Sequence, residues 1–149
     1  MKKILITGVA GNIGSALASA LLKRNNYVVV GVDNLSTGEK HKLPDCSGRF
    51  QFIKADSNDY AELSAIFLHN QFDYVFHFAA VVGVARTLEN PLAVLGDIEG
   101  IKNILSLSKN CNVKRVFYSS SSEVYGEPVT LPQHEDTTPL NSKLPYAIV

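Results

Sequence analysis

The sequence predicts an α/β protein built on a doubly wound parallel sheet, and three features carry that expectation. Five short, near-continuous apolar runs recur along the chain, at residues 4–7, 27–32, 50–54, 74–78 and 113–118. Helix-forming stretches alternate with them at 13–24, 59–68 and about 91–109, the last with Leu92, Leu95, Ile98, Ile101 and Leu105 at three- or four-residue spacing. Three glycines, Gly8, Gly11 and Gly14, follow the first run at intervals of three and open the first helix. Continuous apolar runs suit parallel strands covered on both faces; right-handed crossovers then place helices on either side and ligands at the carboxyl ends of the strands.

The first strand, turn and helix are read from Ile-Leu-Ile-Thr-Gly-Val-Ala-Gly-Asn-Ile-Gly, residues 4–14. A pyrophosphate needs bare main-chain N–H groups at a helix N-terminus, where free donors and the helix dipole favour negative charge. Glycine at 8 and 11 admits it, and Gly14 lets the helix pack on the strand. A plain glycine-rich turn is the alternative for this stretch alone. The second strand ends at Asp33, 19 residues after Gly14, where a dinucleotide fold sets a carboxylate to accept from the adenosine ribose hydroxyls. That carboxylate repels a 2′-phosphate, and the next residue is Asn34 rather than arginine, so NAD is favoured over NADP. An ordinary Asx turn opening the loop Asn34, Leu35, Ser36, Thr37, Gly38 is the competing account of Asp33. The fold expected is therefore a Rossmann-like NAD-binding sheet.

Asp56 and Ser57 end the third strand in the same sense; Asp56 either meets the adenine amino group or caps the helix that follows. Phe78, Ala79 and Ala80 end the fourth strand with two small side chains, as close approach of backbone to a cofactor requires, and as a plain buried strand end also explains. His77 lies within an apolar strand and reads as a satisfied core histidine; His41, His69 and His134 show no metal-ligand spacing, and no metal is expected. Asn90-Pro91 signals a helix start, and Asp97 is a polar residue on that helix that faces either cofactor or water.

The 149 residues suffice for one domain with a substantial core. With 14 basic and 14 acidic side chains there is no net field to draw nucleic acid or an anionic membrane, so the expected partner is a small molecule. Two cysteines, Cys46 and Cys111, have no paired spacing and suit a reducing compartment. Gly8 and Gly11 interrupt the first apolar run too early for a signal peptide or membrane span, and the cytoplasm is the expected location.

The fifth strand runs into Ser119-Ser120-Ser121-Ser122-Glu123-Val124-Tyr125-Gly126, placing hydroxyls and a carboxylate at the carboxyl edge, although a serine run also reads as a plain loop. Taken together, ITGVAGNIG, DNLSTG, HFAA, SSSSEVYGEP and the closing PYA resemble the extended short-chain dehydrogenase/reductases, and within them the nucleotide-sugar epimerases and dehydratases. The resemblance runs from Met1 to Val149. It implies that Gly8, Gly11, Asn12, Ile13, Gly14, Asp33, Asn34, Ser36, Thr37, Gly38, Asp56, Ser57, Phe78, Ala79, Ala80, Val82, Asp97, Ser119 and Tyr146 line the NAD site. It also implies a catalytic set of Ser121, Tyr146 and Glu123 acting on a sugar nucleotide. Tyr146, as phenolate, takes a proton from a sugar hydroxyl while the carbon-bound hydrogen leaves as hydride to the nicotinamide. A phenol with a pKa of about 10 needs a nearby cation for this, which the family supplies as a lysine four residues after the tyrosine. Ser121 would fix the same sugar oxygen.

That lysine position lies one residue past Val149, so the chain reads as the amino-terminal part of a longer enzyme, incomplete at the carboxy-terminal end of the fold and inactive alone. The fifth strand would then be an exposed apolar edge prone to self-association, and a homodimer through the long helix is expected from the resemblance. Epimerisation, 4,6-dehydration and uronate decarboxylation share a 4-keto intermediate. Glu123 matches the glutamate that takes the C5 proton in dehydratases, yet Ser122 stands where some of them carry aspartate, and a Ser-Glu pair also fits decarboxylases and some epimerases. DNLSTG and AAVVGVARTLENP favour an epimerase, although Val82 replaces a lysine frequent in 4-epimerases. A non-catalytic NAD-binding module is the alternative of another class.

Overall fold

The computed structural model describes residues 1–45, 48–81, 83–127, 129–144 and 147 of the chain. Strand β1 (Lys2–Thr7) leads through helix α1 (Asn12–Leu22) to β2 (Tyr27–Asp33). A 3-10 turn (Lys40–Lys42) precedes β3 (Phe50–Lys54), and α2 (Tyr60–His69) leads to β4 (Tyr74–His77). Then follow α3 (Val84–Glu89), α4 (Pro91–Asn110), β5 (Arg115–Tyr118) and a second 3-10 turn (Ser122–Tyr125). The chain divides into two compact units, Met1–Ala80 with Glu99–Tyr118, and Val81–Ile98 with Ser119–Val149.

The first unit is a Rossmann-like sheet of five parallel strands in the order β3-β2-β1-β4-β5. Residues of β1 alternate between two cores. Ile4 and Ile6 join Val9, Ala18 and Val29 on the face covered by α1. Leu5 joins Leu63, Phe67 and Val75, together with Ile104 and Leu107 of α4, on the opposite face. Both faces are covered, which is why the central strands read as unbroken apolar runs. Each fully buried Ile, Leu or Val here contributes roughly 1.5–3 kcal/mol, so β1 anchors the sheet through both cores. Strand order reverses between β1 and β4, and the crevice where doubly wound sheets take ligands opens at their carboxyl ends.

The strand boundaries follow the apolar runs closely. β5 starts at Arg115 rather than 113 because the Val113 N–H donates to Ser108 O at 2.9 Å, closing the end of α4. β5 is an edge strand, with Phe117 38 % and Tyr118 53 % exposed. α1 stops at Leu22, where the Arg49 guanidinium donates to Leu22 O at 2.8 Å, Arg24 O at 2.7 Å and Tyr27 O at 3.3 Å. The bond to Leu22 O satisfies a carbonyl that the helix end leaves open, and the other two tie the turn after it to the start of β2. At the amino end of the sheet, Asp73 accepts from Lys114 Nζ at 2.6 Å, the Lys3 N–H at 2.9 Å and Lys2 Nζ at 3.3 Å. The Lys114 ammonium and the Lys3 N–H hold its carboxyl well below the usual carboxylate range.

In the second unit, α3 follows Gly83, whose φ of +104° suits glycine. The Ser122–Tyr125 turn ends on Gly126, beside the Asn141 backbone, and the Asn141 N–H donates to Val124 O at 3.1 Å. Among the described residues no helix is long and apolar enough to cross a membrane, and no group of three metal-ligating side chains is found.

Candidate cofactor-binding site

The carboxyl end of β1 is built around two glycines that cannot carry a side chain. Gly8 has φ +68°, and a Cβ there would lie 2.8 Å from Phe78 C and Ala79 N, the backbone just beyond β4. A Cβ at Gly14 would fall against Gly8 O and 2.8 Å from Val9 Cα, so glycine lets α1 sit down on the turn. Gly11 is the N-cap residue of α1 and has no side chain to cap the first N–H groups, while Asn12 and exposed Ile13 begin the helix. The first turn of any helix leaves such donors open, and the helix dipole makes them an anion site.

Asp33 closes this turn from the neighbouring strand. It is 8 % exposed; Oδ2 accepts the Ala10 N–H at 2.9 Å and Oδ1 the Leu35 N–H at 2.8 Å. The second bond is the Asx turn that the sequence offered as an alternative, and the first ties the same carboxylate to the glycine loop. Gly38 packs on it, since a Cβ there would meet Asp33 Oδ1 at 2.7 Å. The loop is further set by Ser36 N–H to Asn34 Oδ1 at 2.9 Å and Glu39 N–H to Ala10 O at 3.0 Å; Thr37 is exposed within it.

Asn34 Nδ2 donates to Asp56 Oδ2 at 3.0 Å, bringing the ends of β2 and β3 together. Asp56 does not cap α2: that role falls to Asp59, whose side chain accepts the Glu62 N–H at 3.0 Å, because Asp59 is the residue immediately before the helix. Asp56 Oδ1 instead accepts the Asn58 N–H at 2.9 Å. Ser57 is buried, and its carbonyl and that of Asn58 each accept from Asn103 Nδ2 at 3.1 Å. Asn103 was not singled out from the sequence; its signal was a polar residue among the buried positions of α4.

Phe78, Ala79 and Ala80 follow β4, and the close neighbour of the first two is Gly8 itself. Thr7 Oγ1 accepts the Phe78 and Ala79 N–H groups, each at 3.2 Å, and lies 2.7 Å from His77 Nδ1. His77 is 2 % exposed and hydrogen-bonded, and burial depresses its pKa to about 4. The sequence signal for Thr7 is its place as the polar residue that ends the first apolar run, and the parallel register pairs it with His77.

Of the remaining predicted residues, those described lie in the second unit. Asp97 Oδ2 accepts the Val81 N–H at 2.6 Å, so its carboxylate holds the segment after β4. Ser119 is exposed; Ser121 Oγ accepts the Glu123 N–H at 3.2 Å as N-cap of the 3-10 turn, and Glu123 is exposed. Tyr146 and Val82 lie outside the described residues.

These features fit an adenine dinucleotide: open N–H groups at a helix start, glycines whose Cβ atoms would fill the turn, and a buried carboxylate one strand over. Comparison with known proteins agrees. The NAD dependent epimerase/dehydratase family matches residues 4–149. UDP-arabinose 4-epimerase 1 of Arabidopsis thaliana is 40 % identical over 93 % of this chain and 35 % of its own length. Among solved structures, the UDP-Glc/GlcNAc 4-epimerase of Campylobacter jejuni superposes with a TM-score of 0.90 at 33 % identity, covering 99 % of this chain and 45 % of the other. The Bordetella bronchiseptica enzyme WbmH in complex with NAD+ superposes with a TM-score of 0.87 at 34 % identity, covering 99 % and 48 %. The chain thus spans about a third to a half of the length of these relatives. On the sequence match and the geometry of the glycine turn, the chain belongs to the NAD dependent epimerase/dehydratase family, whose cofactor is NAD.

Proposed function

We propose that these residues form the NAD-holding Rossmann-like domain of a nucleotide-sugar 4-epimerase that works through a 4-keto intermediate. The observation that carries the reading is the closure of the Gly8–Gly14 turn by the buried Asp33 carboxylate. The turn offers N–H groups to a pyrophosphate, and Asp33 keeps lone pairs for ribose hydroxyls while its charge disfavours a 2′-phosphate. NAD, when bound, supplies the hydride acceptor for oxidation of the sugar carbon. In this reading Tyr146 takes the hydroxyl proton and Ser121 holds the sugar oxygen, with Glu123 the third member of the catalytic set.

The 4-epimerase assignment is supported by the UDP-sugar 4-epimerases among the relatives. Those proteins are two to three times as long, so turnover is proposed for a protein of that length carrying this sequence, and the 149 residues alone are proposed to bind NAD without converting a sugar. A homodimer is proposed from the exposed Leu92, Leu95, Ile98 and Leu105 of α4, and the cytoplasm from the cysteine usage. The test is incubation of the longer protein with NAD and UDP-glucose or UDP-arabinose, followed by chromatography. Formation of the C4 epimer is expected; a 4-keto-6-deoxy product or a decarboxylated sugar would overturn the epimerase reading.

A further inference from the structure

The parallel ladder between β1 and β4 ends at the Thr7 and His77 pair, yet the backbone beyond the two strands stays in contact, Gly8 against Phe78 and Ala79. The backbone alone supplies one bond there, from the Phe78 N–H to Thr7 O at 3.2 Å. The Thr7 hydroxyl extends the ladder, because its oxygen accepts the Phe78 and Ala79 N–H groups as well. A hydroxyl has two acceptor positions and one hydrogen. With the Ala79 N–H and the Phe78 N–H, the latter shared with Thr7 O, both pointing at the oxygen, the hydroxyl hydrogen has one further short contact among the described residues, His77 Nδ1 at 2.7 Å. This hydrogen-bond pattern assigns Nδ1 as the bare nitrogen of a neutral ring, with the proton on Nε2. The ring is held from β5 by stacking on Tyr118, at a centroid distance of 5.9 Å and an interplanar angle of 24°.

We propose that His77 is a positioning residue for cofactor binding: by accepting the Thr7 hydroxyl hydrogen at Nδ1, it fixes the hydroxyl so that the end of β4 is clasped against Gly8, which sets the affinity of the crevice for NAD. The proposal rests on the NAD reading above. Removing the acceptor frees the hydroxyl to rotate away, and Ala79 is then no longer held beside Gly8. The clasp touches the cofactor through the position of residues 8 and 78–79, not through the imidazole.

The chain is titrated with NAD by calorimetry as wild type, Thr7→Val, Thr7→Ser and His77→Asn, with thermal unfolding of each in parallel, and the His77 ring nitrogens of the wild type are read by 15N NMR. Thr7→Val has the shape of threonine without the hydroxyl and is expected to weaken NAD at least tenfold. Thr7→Ser restores binding to within about threefold of wild type. His77→Asn, which keeps an acceptor oxygen near the place of Nδ1, weakens NAD less than Thr7→Val. The wild-type spectrum is expected to show a bare Nδ1 and a protonated Nε2. A protonated Nδ1 overturns the clasp even if all three variants fail to fold, and so does a Thr7→Val chain that unfolds at lower temperature yet binds NAD as the wild type does. If the wild type itself binds no NAD while its ring shows a bare Nδ1, the cofactor reading fails and the role in affinity fails with it.

Discussion

Asp33 Oδ2 accepts the Ala10 N–H at 2.9 Å, so the carboxylate at the end of the second strand holds the turn at the end of the first. The other oxygen holds Leu35. Asp33→Asn leaves one acceptor oxygen for two backbone donors and sets an amide N–H against the other. Loss of one charge-assisted bond at a buried site costs about 1.5–3 kcal/mol. Urea unfolding is expected to show that loss, and calorimetry an NAD affinity at least tenfold lower with a smaller preference over NADP. Unchanged affinity would contradict a role for Asp33 in the site.

Two glycine substitutions are expected to differ in sign. Gly14→Ala drives a methyl into Gly8 O and Val9 Cα, which are backbone atoms that cannot step aside. It should cost about 3 kcal/mol or more. Gly96→Ala, inside α4 with nothing within 4 Å of the new carbon, should stabilise by about 0.5–1 kcal/mol through helix propensity. Denaturant midpoints of the two variants measure both effects.

His77 predicts a pH dependence of stability. Its folded pKa of about 4 lies below the ordinary 6.5, so the unfolded chain binds the proton first as pH falls. The stabilisation is present above pH 6.5 and is lost between 6.5 and 4, by about 1.4 kcal/mol per pH unit or on the order of 3 kcal/mol in all. Asp73, whose folded pKa is also depressed, gives up its contribution at lower pH, as the fall continues below its ordinary 3.8. Unfolding curves at half-unit steps should show the first window in the wild type and a flatter profile there in His77→Asn.

Arg49 joins the end of α1 to the start of β3 by donating to three carbonyls. Arg49→Ala is expected to cost about 2–3 kcal/mol by leaving them partly unpaired. Arg49→Lys should recover less than half of this, because an ammonium does not present the planar fork that spans Leu22 O and Arg24 O. NAD affinity should be unchanged in both, since the clamp lies at the opposite end of the sheet from the glycine turn.

The five strands and three long helices were legible because burial on both faces forces unbroken apolar runs and the helices between them keep a 3.6-residue stripe. The glycine turn and Asp33 were legible for a different reason: a close backbone approach leaves a spacing of glycines that side chains cannot imitate. What escaped were relationships across the sheet. Thr7 and His77 are 70 residues apart, and only the parallel register makes them neighbours. Asp56 was offered as a cap because it ends a strand before a helix, whereas the turn through Asn58 hands that role to Asp59. Helix α3 was hidden by its length of six residues and by Gly83 before it.

The central claim is that the turn from Gly8 to Gly14, backed by Asp33, holds NAD. A crystal structure of this chain grown with NAD tests it most directly. The account predicts the pyrophosphate against the N–H groups at the start of α1 and ribose hydroxyls on the Asp33 carboxylate. A crevice without NAD at saturating concentration, or a dinucleotide bound away from this turn, would contradict it.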